Sequence, residues 1–374
     1  MKQRILSNQL YFGQERNFEG VKDIPCLLIA GTDPITQKLR RGPYLRALNP
    51  PPRVTYTIKT ERLTYPKQAA HYNFSPLRVA LNTIRFVAEH VMPFRQQGYS
   101  LIHSFFWDIE RFEIPWIHEN DQSVGQFMRD YLHINGLVKD KAASFFASYL
   151  NSELCRRVIV WSKWAMCGYI EDGVEKSKIS IIPPPFKLIG DKKDHPNCNL
   201  LFIGRDYLRK GGDTVLRVLD RLSDFQDLKL YYVGEVWDKR ALNKIRNNKR
   251  IKYYHAPTDR IMREEIFPQA DIFILPTRAD AFAISVVEAM SRGIPVVASN
   301  ICALPEIVED GASGFLSKPN DVDSLATSVS KLLENPRLRE KFGERSLQIV
   351  LQKFSKDKVN EKLLEVYETA TGRR

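Results

Sequence analysis

Cysteine is scarce in this chain. There are five in 374 residues (Cys26, Cys155, Cys167, Cys198, Cys302), far apart and never spaced as C-x-x-C. That argues against a zinc ribbon or a disulfide scaffold and fits a reducing compartment. No stretch approaches the ~20 consecutive apolar residues of a membrane span. The opening MKQRILSNQLYFGQERNFEG has no apolar signal core and no small-residue cleavage site. A cytoplasmic protein is the expectation. Compact basic runs, zinc-finger spacings and an aromatic RNA-binding signature are all missing, so nucleic acid is not an expected partner. No Asp-x-Asp pair stands at the end of an expected strand, and no metal site is expected.

What is present is length, apolar content and positive charge. At 374 residues and 43 % hydrophobic composition, two domains are the default, because single cores stop growing below this size. The formal net charge is +12. It is uneven: residues 1–100 carry 15 Lys and Arg against 6 Asp and Glu. Such a surplus attracts anionic lipid or phosphorylated ligands, or simply solvates the surface.

The chain alternates short apolar runs with helical patterns, twice over. IPCLLIA (24–30), RVTYTI (53–58), YSLIHS (99–104), IPWIH (114–118) and RVIVW (157–161) read as buried strands. A helical period covers 74–91. KISIIPPPFKL (178–188) ends a strand on three prolines, and the domain boundary is expected near 184–197. In the second block, CNLLFIG, LKLYYVG, RIKYY, DIFILP, GIPVVAS and SGFL are the strands. Between them lie helices, one capped by Asp321 or Asp323. Continuously apolar strands alternating with helices imply parallel sheets covered on both faces. The expected fold class is α/β: two doubly wound, Rossmann-like domains with a cleft between them. The expected domains are 1–184 and 185–352, with a C-terminal helix, 353–374, folding back toward the first.

Two stretches stand out chemically. LFIGRDYLRKGGD (201–213) ends a strand at Gly204, then brings Arg205 and Lys210 to a double glycine where a helix opens. Glycines permit a sharp turn, and cations beside a helix N-terminus would clamp a diphosphate. A plain strand–turn–helix corner with surface cations fits the same pattern. RADAFAISVVEAM (278–290) places Asp280 in a loop and Glu288 eight residues later, on a helix expected to begin near Phe282. A carboxylate on so apolar a helix would be buried and would need donors; ribose hydroxyls would supply them. Alternatively Asp280 is a helix cap, and Glu288 pairs with Arg278 or Arg292.

D-A-F-A-I-S-V-V-E-A-M-S-R-G-I-P-V-V-A-S, G-R-D-Y-L-R-K-G (Gly204 to Gly211) and P-E-I-V-E-D-G-A-S-G-F-L (Pro305 to Leu316) together resemble the family 4 retaining glycosyltransferases. That group 1 architecture has two facing Rossmann-like domains (GT-B type). The resemblance implies sugar transfer from a nucleoside-diphosphate sugar, a UDP- or GDP-sugar, to an acceptor hydroxyl with retention of configuration. It implies no cofactor. It puts Glu288 on the donor ribose, Arg205 and Lys210 on the diphosphate, and Asp280 on the donor sugar. Gly204, Phe282, Ala283 and Ile284 would line the same site. Asp280 replaces the family's usual Glu, and Ala281 and Ala283 replace its glycines. In the first block, IPWIHENDQS resembles the family's strand ending in a sugar-facing histidine, His118, with His103 as the alternative. Ser162 matches a recurrent serine without an assigned role. Gly42 stands alone where the family has a glycine pair, and Arg40 and Arg41 are phosphate or acceptor candidates. A nucleotide-sugar epimerase and a binding protein without turnover are the competing functions. The acceptor, a glycan or lipid-linked sugar, and peripheral contact with an anionic inner membrane face complete the expectations.

Overall fold

A computed structural model describes residues 24–31, 41–61, 98–105, 112–189 and 198–373. The helical pattern at 74–91, the stretch with Arg40, the side chain of Arg41 and the polar segment 190–197 lie outside the described residues. The chain divides into two compact units, Met1–Pro185 with Lys356–Arg374, and Phe186–Ser355.

The first unit is a six-stranded sheet in the order β2-β1-β3-β4-β5-β6. Its strands are β1 (Ile24–Gly31), β2 (Val54–Glu61), β3 (Leu101–Phe105), β4 (Trp116–Asn120), β5 (Cys155–Val160) and β6 (Ile179–Ile181). Every pairing is parallel. Successive side chains on a strand point to opposite faces, and the two faces fill different cores. Leu27, Ile29, Ile102, Trp116, Val158 and Val160 pack with Phe146, Leu150 and Tyr169 from helices Leu137–Leu150 and Lys163–Glu171. The alternate residues, Ile24, Cys26, Leu101, Ile117 and Ile159, pack with Val359, Leu363, Val366, Tyr367 and Ala370. Those five belong to the helix Lys356–Ala370, so this helix completes the unit's core. Helix starts follow the expected chemistry. Ser162 caps Lys163–Glu171 by accepting the Ala165 N–H at 3.0 Å, and Ser123 and Gln126 form a reciprocal capping box.

The second unit is a six-stranded parallel sheet ordered β12-β11-β10-β7-β8-β9. Its strands are β7 (Asn199–Ile203), β8 (Lys229–Val233), β9 (Ile251–Tyr254), β10 (Ile272–Leu275), β11 (Val296–Ser299) and β12 (Gly314–Ser317). The chain runs outward from β7 through β8 to β9, then crosses to place β10 on the other side of β7. Order therefore reverses between β7 and β10. In such sheets the loops after the two strands at the reversal diverge and leave a crevice at the carboxyl ends, where ligands bind. Asp321, not Asp323, caps the helix Val322–Glu334.

Candidate functional site

The loops that leave β7 and β10 hold the second-unit candidates, and they are stitched together. The Thr277 hydroxyl donates to the Arg209 carbonyl at 3.0 Å, and the Arg209 guanidinium donates to the Ala279 carbonyl at 2.7 Å. The Arg278 N–H reaches the Arg209 carbonyl at 2.7 Å. The Arg278 guanidinium forks onto Asp213, both bonds at 2.7 Å. Asp213 sits in the first turn of the helix Gly212–Arg221. Arg278, one of the two proposed partners of Glu288, thus ties the second loop to that helix.

Glycine is required where these loops approach. Gly211 has φ +76°, and a Cβ there would overlap the Pro276 carbonyl. At Gly234, after β8, a side chain would strike the Gly204 carbonyl. The Gly204 N–H also bonds the Val233 carbonyl at 2.9 Å. Three consecutive loops are held backbone to backbone, which leaves little room for a rearranged crevice floor.

Lys210 and Asp280 meet as an ion pair across the two loops. The other carboxylate oxygen of the buried Asp280 accepts the Ala283 N–H at 3.1 Å. Asp280 thus combines a charge pair with a hydrogen bond to the turn before the helix; the N-cap of the helix itself is Ala283, which has no side-chain cap bond. Arg205 is exposed on the same rim. Ala283 has φ 52° and ψ 60°, the left-handed conformation, at a position where the resembled motif has glycine. The helix consequently begins at Ile284 (Ile284–Met290), not near Phe282. Phe282 turns inward, edge-to-face on Phe354 with ring centroids 6.0 Å apart.

Glu288 departs from expectation. Its neighbours Val286, Val287, Ala289 and Met290 are buried, but Glu288 itself, like Ile284, is half-buried. At this point the helix turns its less covered face outward, and one stripe carries both residues. The Arg292 guanidinium donates to the Glu288 carbonyl at 2.9 Å and lies over the Phe267 ring at 4.0 Å. The carboxylate is placed at the surface of the unit that bears Lys210 and Asp280.

The first-unit candidates are buried. His118 is the third of five residues in β4, and the strand continues to Asn120 instead of ending at the histidine. Its Nε2 lies 2.8 Å from the Tyr169 hydroxyl. Burial, with neighbouring His103 adding to it, pulls its pKa down to about 3, so the imidazole is neutral at physiological pH. His103 belongs to a buried network that sequence reasoning missed. The Arg46 guanidinium bonds Glu119 Oε1 at 3.0 Å and the Ile182 carbonyl at 2.6 Å, and the Trp161 indole donates to Glu119 Oε1 at 2.6 Å. His103 Nε2 approaches Glu119 Oε2 at 2.9 Å, while Nδ1 meets the Tyr367 hydroxyl at 2.5 Å. Burial alone would raise the Glu119 carboxyl. Arg46, His103 and Trp161 outweigh it and hold the group ionised. The only sequence signal was a glutamate and an asparagine closing an apolar strand. Ser162 is a helix cap, and Gly42 lies against the Trp161 ring.

Among the described residues, no three His, Cys, Asp or Glu side chains converge as a metal site. No described helix is long and apolar enough to cross a membrane.

Comparison with known proteins places this geometry in context. Residues 191–348 match the family model for group 1 glycosyl transferases. That span contains every second-unit candidate. The chain is 30 % identical to an MMP alpha-(1->4)-mannosyltransferase of Mycolicibacterium hassiacum over 44 % of this chain and 41 % of the relative. It is also 30 % identical to a phosphatidyl-myo-inositol mannosyltransferase of Mycobacterium leprae over 58 % of each. The matches thus span about half the length of these curated relatives. Among solved structures, a sucrose-phosphate synthase from Thermosynechococcus elongatus superposes with a TM-score of 0.70 at 17 % identity, covering 94 % of this chain and all of that one. Anabaena HepE in complex with UDP-glucose gives 0.65 at 15 %, covering 92 % and 100 %. The fold is therefore the two-domain α/β architecture of the GT-B glycosyltransferases.

Proposed function

We propose that this protein moves a sugar from a nucleoside-diphosphate sugar to an acceptor hydroxyl, with retention of anomeric configuration. The observation that carries the reading is the Lys210–Asp280 pair at the β7/β10 reversal, with Arg205 and Glu288 on the same unit. Its support is the family match over 191–348 and the names of the relatives, together with the nucleotide found in a GT-B neighbour of the same fold.

In this reading the pair is a resting state. The incoming diphosphate takes the Lys210 ammonium, and Asp280 is freed to accept a hydroxyl of the donor sugar. Arg205 reaches the same phosphates from the rim, and the ribose hydroxyls donate to Glu288. Phe282, Ala283 and Ile284 border the sugar and phosphates with backbone, as does Gly204. As the bond from the anomeric carbon to the diphosphate oxygen breaks, its electron pair leaves with the diphosphate. Lys210 and Arg205 stabilise that charge in place, which is where most of the acceleration comes from. The acceptor oxygen bonds the anomeric carbon on the same face, and its proton passes to the leaving phosphate. The acceptor is a glycan or a lipid-linked sugar, and the enzyme works in the cytoplasm, in peripheral contact with the membrane face.

Thermal denaturation with UDP, GDP, ADP and CMP tests the reading. One nucleotide, at about 100 times its dissociation constant, should add about 2.7 kcal/mol and raise the Tm by several degrees. Glu288→Ala should abolish the shift. Stabilisation without turnover of any matching donor sugar would make the protein a binder; no stabilisation by any nucleotide would sink the assignment of Glu288.

A further inference from the structure

The strongest charge asymmetry among the described residues lies outside the crevice, on its β8 side. Between Trp237 and Lys252 the chain carries seven Lys and Arg (Lys239, Arg240, Lys244, Arg246, Lys249, Arg250, Lys252) and one acid, Asp238. Asp238 is consumed locally, capping the helix Lys239–Asn247 through the Ala241 N–H at 2.7 Å. Some of the cations have structural work. Lys244 pairs with Asp220 at 2.8 Å, Arg250 donates to the Leu222 carbonyl at 2.7 Å, and Lys252 reaches the Tyr231 hydroxyl at 3.1 Å. Lys239, Arg240, Arg246 and Lys249 are exposed and take part in none of the ion pairs among the described residues. The helix buries Ile245 and turns its basic arc to solvent.

Directly before this helix, the loop after β8 tucks Glu235 and Val236 inside and leaves Trp237 63 % exposed. An indole of this size in water is costly unless something covers it. Gly234, three residues earlier, is pressed on Gly204, so Trp237 stands on the carboxyl-end rim next to the loop of Arg205. An exposed indole followed at once by unpaired cations suits one surface above others. The indole seats at the headgroup level of a bilayer, and the cations face anionic lipids. A polyanion in solution would use the cations but leave the indole without an apolar partner.

We propose that Trp237 with Lys239, Arg240, Arg246 and Lys249 docks the second unit on an anionic lipid surface. Docking there brings the rim of the donor crevice to the plane in which a lipid-anchored acceptor lies. The purpose of the contact rests on the transfer reading above; the contact itself does not.

The test is co-sedimentation of the full chain, without nucleotide, with vesicles of phosphatidylcholine alone or with about one third phosphatidylglycerol. Wild type should sediment with the anionic vesicles only, less so as salt rises. At about fivefold in partition per cation near such a surface, Lys239→Gln/Arg240→Gln should weaken binding about thirtyfold. Trp237→Ala should remove the blue shift of tryptophan emission on vesicle addition. Arg337→Gln/Lys341→Gln, an equal charge loss on the exposed side of another helix, should change little. The inference is overturned by absence of sedimentation, by equal loss in the control variant, or by binding that survives both rim variants. Retention on heparin or RNA through these residues without vesicle binding also overturns it. Nucleotide-induced stabilisation, measured separately, stands or falls on its own.

Discussion

Asp280 has two carboxylate oxygens with two different partners, the Ala283 N–H and the Lys210 ammonium. The helix Ile284–Met290 is capped by Ala283 without a side-chain bond, so the Asp280 carboxylate serves the turn before that helix and the ion pair. Asp, one methylene shorter than Glu, keeps its carboxylate close enough to the chain to accept the Ala283 N–H. Residue-scale chemistry in the first unit is governed by burial instead. Folded His118 takes a proton only near pH 3, whereas an unfolded histidine does so near pH 6.5. Between those values the unfolded chain holds more protons, so stability falls with falling pH by about 1.4 kcal/mol per unit. His103 is displaced in the same direction and acts in the window just below pH 6.5. Glu119 acts in the same direction at lower pH. Its folded pKa is depressed, so its contribution is complete above the ordinary carboxylate range and is lost only as pH falls through that depressed value. Urea denaturation at pH 7.0 and 5.5 should therefore show wild type losing stability, and His118→Gln losing about 1 kcal/mol less over the same interval. Equal losses would show that His118 does not titrate on unfolding.

At the scale of elements, strand positions were legible and helix starts less so. The twelve strands of the described residues lie within or beside the apolar runs read from the chain, because a parallel strand covered on both faces must be largely apolar. The start of the helix Ile284–Met290 was misplaced by two residues. Nothing in the letter Ala announces a left-handed residue; the conformation at 283 goes with the Asp280 hydrogen bond and the inward packing of Phe282. An alanine held there costs about 1–2 kcal/mol relative to its favoured regions. Ala283→Gly should relieve that strain and, after the larger entropy loss of glycine on folding, stabilise by about 0.5–1 kcal/mol. A Tm rise of about 2 °C with nucleotide binding retained is the expected result. A fall in Tm would mean that the Ala283 methyl, buried in the native unit, contributes more than the strain removes.

At the scale of the whole molecule, the helix Lys356–Ala370 returns to complete the first unit. Val359, Leu363, Val366, Tyr367 and Ala370 fill one of the two cores against that sheet, and Tyr367 hydrogen-bonds His103 and, at 2.7 Å, Tyr56. Burying side chains of this kind stabilises by about 1.5–3 kcal/mol each, and their sum is comparable with the entire stability of a domain. A chain stopped at Ser355 should therefore lose the first unit and keep the second. Limited proteolysis would then leave a resistant fragment beginning near Phe186, and melting would show one transition in place of two. Resistance of both units would mean that the helix is dispensable to the first. The sequence by itself determined the α/β class, the strand positions, the glycine-rich turn at 204–212 and the cations and acids of the second unit, because these follow from local periodicity and backbone limits. Only tertiary structure decided which of them meet. That Lys210 pairs with Asp280, that Glu288 lies half-exposed, that Phe282 turns away and that His118 is sealed in a strand depend on sheet order and on packing between residues dozens of positions apart. Local pattern carries no record of those distances; the crossing from β9 to β10 sets them.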